Sequence, residues 1–366
     1  MQHAASALSS SVIQAAPTIR DLVRSAGEDG TLRPEFRGSL DAGVALYRHM
    51  LRLRLVSAKM VDLQRSGKIA LHMSSIGEEG AVVGATMALE TRDWIFPGGR
   101  EWGAALVRGM PLADYVHHAF GTSLDRAKGH AAPDHAPGRA FHVGPVSGVV
   151  GAHVPQAVGF AWAAKIRRED TVVLAMFGEG ATSTGDFHNG LNFSGVFKAP
   201  VVLVCRNNGR AGTLPASRQT KSESFAVKAS AYGIACAKVD GQDALAVFTT
   251  SRAAVLRARE GKGATLIEVV TEPVGGELEG GSTNPNLLAL GDADPLVRLR
   301  RTLTAEGLLA ETAEHTMVRD VRAEIDEAVR GAEAASPPAR ESLFEDVFKD
   351  VPPHLRAQME NVPWGK

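Results

Sequence analysis

Residues 171–208 read TVVLAMFGEGATSTGDFHNGLNFSGVFKAPVVLVCRNN. An apolar, strand-like run leads into Gly178-Glu179-Gly180, a helical segment follows, and a second apolar run ends at Asn207-Asn208. Two strands joined through a helix connect with a right hand and lie parallel. Glu179, Arg206 and Asn208 are then expected at the carboxyl edge of a sheet, where open α/β folds bind their ligands. A carboxylate and an amide oxygen at that edge suit Mg²⁺, a hard cation that takes oxygen ligands and shares bound phosphates. Gly178 and Gly180 let the backbone approach a diphosphate.

A nicotinamide-binding turn is the competing reading. It needs G-x-G-x-x-G and an acidic residue after the second strand. Here Ser183 holds the third glycine position, and the second strand ends in Arg206-Asn207-Asn208. An unused structural turn does not explain why Glu179, Arg206 and Asn208 share one edge.

The rest of the composition is that of an ordinary globular chain: 366 residues, 44% hydrophobic and 22% charged, with a net charge of −1. That length holds one large domain with an appendage, or two small ones. The balanced charge signals neither a nucleic-acid nor an anionic-membrane partner. No apolar run reaches the length of a membrane span. The two cysteines, Cys205 and Cys236, sit in strand-like runs and are expected as buried thiols in a reducing compartment. The opening MQHAASALSSSVIQAAP lacks the basic region and long apolar core of a secretion signal. A cytoplasmic protein with a mobile N-terminal arm is expected.

Along the chain, Leu46, Met50, Leu53, Val56 and Met60 recur at helical spacing within residues 38–66. Further helices are expected over 78–90 and 104–121, with His117 and His118 on a solvent-facing surface. Trp94 to Arg100 reads as a short strand and turn. A Gly-, Pro-, Ala- and His-rich loop spans 125–148, and helix resumes from Val154 to Ile166. Loop 209–223, helix 224–232, strand 234–239, helix 242–259 and strand 264–271 follow, then a Gly-rich loop over 272–293 and a charged helical tail. The fold class is α/β: a doubly wound parallel sheet flanked by helices, with a helical C-terminal segment. The expected division is an arm over 1–37, a cofactor-binding domain over 38–300 and the helical segment over 301–366.

The segments SSIGEEGAVVGA (74–85), FPGGREWG (96–103), GVVGAHVPQAVGFAWAAK (148–165), GEGATSTGDFHNGLNFSG (178–195), CRNNG (205–209), VDGQDALAVF (239–248) and ESLFEDVFKDVPPHLRAQ (341–358) resemble the alpha subunit of the thiamine diphosphate-dependent E1 component of 2-oxo acid dehydrogenase complexes, most nearly the branched-chain type. The resemblance implies that Glu179 and Asn208 ligand Mg²⁺ by side chain and Arg210 by its carbonyl. It places Gly180 and Ala181 under the diphosphate of thiamine diphosphate, Arg100 and Arg206 on its oxygens, and Gly148 and Val150 against its aminopyrimidine ring. His72 falls where the family lines its substrate pocket and is the candidate catalytic residue. His153 is read either as a cofactor contact or as a cap of the following helix. The family also implies a separate beta subunit in a heterotetramer, a lipoyl-bearing acyltransferase as acyl acceptor, and a 2-oxo acid or related keto substrate.

Four departures stand out. Where the family carries a histidine-containing loop, this chain reads Glu272-Pro273-Val274-Gly275-Gly276-Glu277, and no histidine occurs between His188 and His315. Ser282 and Thr283 are poor counterparts of the serines phosphorylated in mitochondrial homologues. Gly98-Gly99 replaces a bulkier pair before Arg100, and Arg210 stands in an aromatic position. Beside the decarboxylating reading, these departures keep two others open: group transfer from a keto compound to a different acceptor, and a non-catalytic structural subunit.

Overall fold

The structure, a computed structural model, describes residues 22–27, 31–272, 291–345 and 348–361. The sheet strands are β1 (Trp94–Phe96), β2 (Val173–Gly178), β3 (Val201–Asn207), β6 (Ala235–Asp240) and β7 (Thr265–Val270), all parallel in the order β1-β2-β3-β7-β6. A separate two-residue hairpin pairs β4 (Arg210–Ala211) with β5 (Leu214–Pro215).

The strands are apolar on both sides, as strands between two helical layers must be. Leu174, Met176, Val202, Val204, Ile267 and Val269 face one core. Their alternates Val173, Ala175, Phe177, Val201, Leu203, Cys205 and Leu266 face the other, which follows from the two-residue period of a strand. The first layer holds α1 (Gly43–Arg65), α2 (Glu79–Met87), α3 (Gly103–Val107), α4 (Leu112–Phe120) and α8 (Ala244–Arg259). The second holds α5 (His153–Ile166), α6 (Gly185–Val196) and the 3₁₀ turn Ala226–Tyr232. A short helix α7 (Ala216–Gln219) follows the hairpin.

Leu46, Met50, Leu53, Val56 and Met60 of α1 are all buried, so the helical stripe read from the sequence faces the core. Each such side chain contributes about 1.5–3 kcal/mol of burial. The C-terminal helices α9 (Pro295–Ala305) and α10 (Glu311–Ala334) join the same core through Leu299, Leu303, Val321, Ile325 and Val329. Beyond α11 (Ser342–Glu345), α12 (Pro353–Asn361) buries no residue.

Two expectations need correction. The helix expected over 104–121 is two helices, α3 and α4, because Pro111 is extended (φ −58°, ψ 138°) and cannot continue a helical hydrogen-bond ladder. The helix expected over 224–232 is a 3₁₀ turn beginning at Ala226. Cys205 and Cys236 are buried free thiols, as expected. Residues 22–27, within the expected arm, lie beside β6 through a bridge from Val23 to Val239. Among the described residues no helix is long and apolar enough to cross a membrane.

Candidate active site

The parallel register sets Gly178 opposite Arg206, which brings the ends of β2 and β3 level. Glu179 leaves β2 into the 3₁₀ turn Glu179–Ser183, and Thr184 caps α6 by accepting from the Phe187 amide. The backbone at Gly151 lies against Thr184, so the amino ends of α5 and α6 meet beside this turn. Converging helix amino termini favour an anion there. Glu179 is buried, with Oε1 accepting from Gln219 Nε2 at 3.4 Å. Asn208 is also buried, and its Oδ1 accepts from the Arg210 amide at 3.2 Å. A Cβ on Gly180 would lie 2.7 Å from Ala211 Cβ. Gly180 is therefore required for the β4–β5 hairpin to close over the turn. Ala181 is buried beneath it, Gly178 is half-buried, and Arg210 is exposed on the hairpin.

Arg206 is buried, and its partners are carboxylates contributed from far away in the chain. Nε donates to Glu101 Oε1 at 2.9 Å and Nη1 donates to Glu78 Oε2. Glu78 also accepts from Asn208 Nδ2 and from Thr271 Oγ1, each at 3.4 Å, and lies 4.0 Å from Arg100 Nη1. Burial pushes the Glu101 carboxyl up to about 7, against the opposing pull of Arg100. The sequence reading assigned no role to Glu78 or Glu101. The signal available was their place in two of the resembling segments, immediately beside Gly77 and Arg100.

His72 is not at the surface of this site. Its side chain is fully buried, with Nε2 2.9 Å from Ser57 Oγ and Nδ1 near Tyr115 OH (3.2 Å) and Asp134 Oδ1 (3.3 Å). Its ring meets Trp102 edge-on. Asp134 also accepts from the Met73 amide, and the Met73 carbonyl accepts from Trp102 Nε1 at 3.0 Å. This network holds Met73, the side chain that lies against Gly99.

Gly148 is exposed, and Val149 and Val150 are 66% and 61% exposed. Val150 is thus an apolar side chain left uncovered by its own chain. His153 opens α5 and caps nothing by side chain; its Nε2 donates to the Met176 carbonyl at 2.8 Å and ties the helix to the end of β2. His117 and His118, expected on a solvent-facing surface, are buried. The reason is local: His117 bonds Thr122, and His118 bonds Asp125 and the Ala132 carbonyl, which fastens the following loop. The region from Gly276 to Glu277, with Ser282 and Thr283, lies outside the described residues. Among the described residues no three His, Cys, Asp or Glu side chains converge on a metal position. The expected metal set has one carboxylate, one amide and one carbonyl, so phosphate oxygens would have to complete it.

A parallel α/β sheet with a charged carboxyl edge is the architecture of a ligand-binding α/β domain, whose sites lie at that edge. The chain belongs to the dehydrogenase E1 component family, whose model matches residues 47–341. The family depends on thiamine diphosphate and comprises oxidoreductases that act on an oxo group. The chain is similar to the mitochondrial 2-oxoisovalerate dehydrogenase subunit alpha of Homo sapiens, 34% identical over 87% of this chain and 73% of that protein. It is also similar to subunit alpha 2 of the Arabidopsis thaliana enzyme (34%, 87% and 69%). The pyruvate dehydrogenase E1 component subunit alpha of Staphylococcus aureus is 33% identical over 87% of this chain and 85% of its own length.

Proposed function

We propose that this chain is the alpha subunit of a thiamine diphosphate- and Mg²⁺-dependent 2-oxo acid dehydrogenase. In this reading it works with a separate beta subunit and passes the acyl group to a lipoyl domain. The observation that carries the reading is the meeting of Glu179, Asn208, Arg206 and Arg100 at one sheet edge, beside two helix amino termini. Glu78 and Glu101 stand against the Arg206 and Arg100 guanidinium groups, and Glu179, on the turn after β2, supplies the carboxylate offered to a divalent cation.

Glu179, Asn208 and the Arg210 carbonyl would hold the metal. Arg206 and Arg100 would grip the diphosphate, a task for which a permanently charged, forked guanidinium is suited. Glu78 and Glu101 keep Arg206 oriented toward that edge. When bound, thiamine diphosphate supplies the electron sink for loss of carbon dioxide from a 2-oxo acid. Gly148 and Val150 offer the exposed surface on which the aminopyrimidine and the beta subunit would close. His72 acts as a positioning residue through Met73. The buried free thiols Cys205 and Cys236 favour a reducing compartment, and we place the protein in the cytoplasm.

The test is carbon dioxide release from a panel of 2-oxo acids by the co-purified alpha–beta complex with thiamine diphosphate and Mg²⁺. Glu179→Ala should abolish release. An unchanged rate in that variant would favour a structural subunit instead.

A further inference from the structure

Glu78 stands between the two halves of the proposed cofactor site. It is 4% exposed and immediately precedes α2, with its carbonyl accepting from the Ala81 and Val82 amides. Its neighbour fixes the backbone there: Glu79 is buried in the ion pair with Arg54 and accepts from the Gly77 amide at 2.8 Å. The two carboxylate oxygens of Glu78 are divided between different tasks. Oε2 accepts from Arg206 Nη1 and lies 4.0 Å from Arg100 Nη1, on the side assigned to the diphosphate. Oε1 accepts from Asn208 Nδ2 and from Thr271 Oγ1, each at 3.4 Å, on the side assigned to the metal.

The contact with Asn208 sets which end of its amide is presented. A side-chain amide has an acceptor end and a donor end of nearly the same shape, and an ionised carboxylate only accepts. Glu78 therefore takes the Nδ2 end, and Oδ1 faces the Arg210 amide at 3.2 Å. An amide oxygen has two lone pairs, so beside that hydrogen bond Oδ1 keeps one for a cation. We propose that Glu78 is a positioning residue that turns the Asn208 oxygen toward the metal and, through its other oxygen, holds the arginines of the diphosphate grip. One carboxylate thus couples metal binding to diphosphate binding. The inference rests on the thiamine-dependent reading above and adds to it a residue that acts through Asn208 and the arginines.

The experiment measures thiamine diphosphate affinity by calorimetric titration of the co-purified alpha–beta complex, once with Mg²⁺ and once with EDTA. The readout is the gain in affinity that Mg²⁺ confers. Glu78→Gln has one acceptor end and one donor end, so it can serve Arg206 or Asn208 Nδ2 but not both. Its Mg²⁺ gain should be about tenfold or more below that of the wild type, the scale on which hydrogen-bond partners of a metal ligand act. In EDTA the variant should bind at least as tightly as the wild type, because a negative charge beside Arg100 and Arg206 is gone. Glu78→Asp, which keeps two acceptor oxygens on a shorter stem, should retain more of the gain than Glu78→Gln. A structural role would weaken binding equally in both conditions, and an inactive fraction changes the stoichiometry and not the affinity. An unchanged Mg²⁺ gain in Glu78→Gln overturns the proposal while leaving the dehydrogenase reading intact. A wild-type complex that binds no thiamine diphosphate in either condition overturns both.

Discussion

Arg206 Nε donates to Glu101 Oε1 over 2.9 Å, joining residues 105 positions apart at the carboxyl edge of the sheet. Both side chains are buried, and Glu78 closes the other side of the guanidinium. A buried arginine held between two carboxylates is oriented before any ligand arrives. An incoming diphosphate must then share that guanidinium with groups already bonded to it.

The first prediction concerns pH. Burial raises the Glu101 carboxyl to about 7, so it is largely protonated at pH 6 and largely ionised at pH 8. Ionised Glu101 competes harder with the diphosphate for Arg206. Its contribution should therefore weaken thiamine diphosphate binding as pH rises through about 7. Calorimetric titration at pH 6 and pH 8 should show this component in the wild type and not in Glu101→Gln. The same raised value means that the native state binds more protons than the unfolded state between the ordinary carboxylate value and about 7, so stability falls over that window as pH rises.

Metal dependence gives the second. Glu179→Ala and Asn208→Ala each remove one oxygen ligand from a six-coordinate ion, and cofactor affinity in the presence of Mg²⁺ should fall by about 100-fold, on the scale of losing one charged contact. Chelation with EDTA should do the same to the wild type. Equal affinity with and without metal would dismiss the assigned ligands.

Arg54 carries the third. It is 6% exposed by side chain and binds both Glu79 and Asp294, which joins α1 to the starts of α2 and α9. Arg54→Met leaves both carboxylates buried without a counter-ion, held among the described residues only by the Gly77 and Leu296 amides. The loss should be about 3–5 kcal/mol in urea unfolding. A change below about 1 kcal/mol would mean that the carboxylates find other partners.

His118 supplies a second pH signature. Burial works against its charged form, but the Asp125 carboxylate and the Ala132 carbonyl outweigh it, and the net shift is upward. A raised histidine stabilises fully below its unfolded value and loses that contribution as pH rises through its folded value. His118→Gln should therefore lower the melting temperature more at pH 5.5 than at pH 8. An equal loss at both would assign His118 to packing alone.

Val150 tests the partner. It is 61% exposed, so Val150→Asp should leave the folded chain as stable as the wild type, within about 0.5 kcal/mol. Co-purification with the beta subunit should be lost, because an ionised carboxylate resists burial at an interface. Retention of the complex would move the interface elsewhere.

The β-α-β stretch over 171–208 determined by itself that Glu179, Arg206 and Asn208 share an edge. Strand period, parallel connection and strand length are local properties, and the register of β2 on β3 follows from them. The stripe on α1 was legible for the same reason. Only the tertiary structure decided which carboxylates meet Arg206. Glu78 and Glu101 lie 128 and 105 residues from it, on the start of α2 and on a turn after β1, and no periodicity relates them. It also decided that His72 and His118 point into the protein. The polarity of a histidine does not reveal whether Tyr115, Asp125 and Asp134 will arrive to satisfy it. Local patterning sets which faces of an element are apolar; the polar partners across a packed core are chosen only when the layers close.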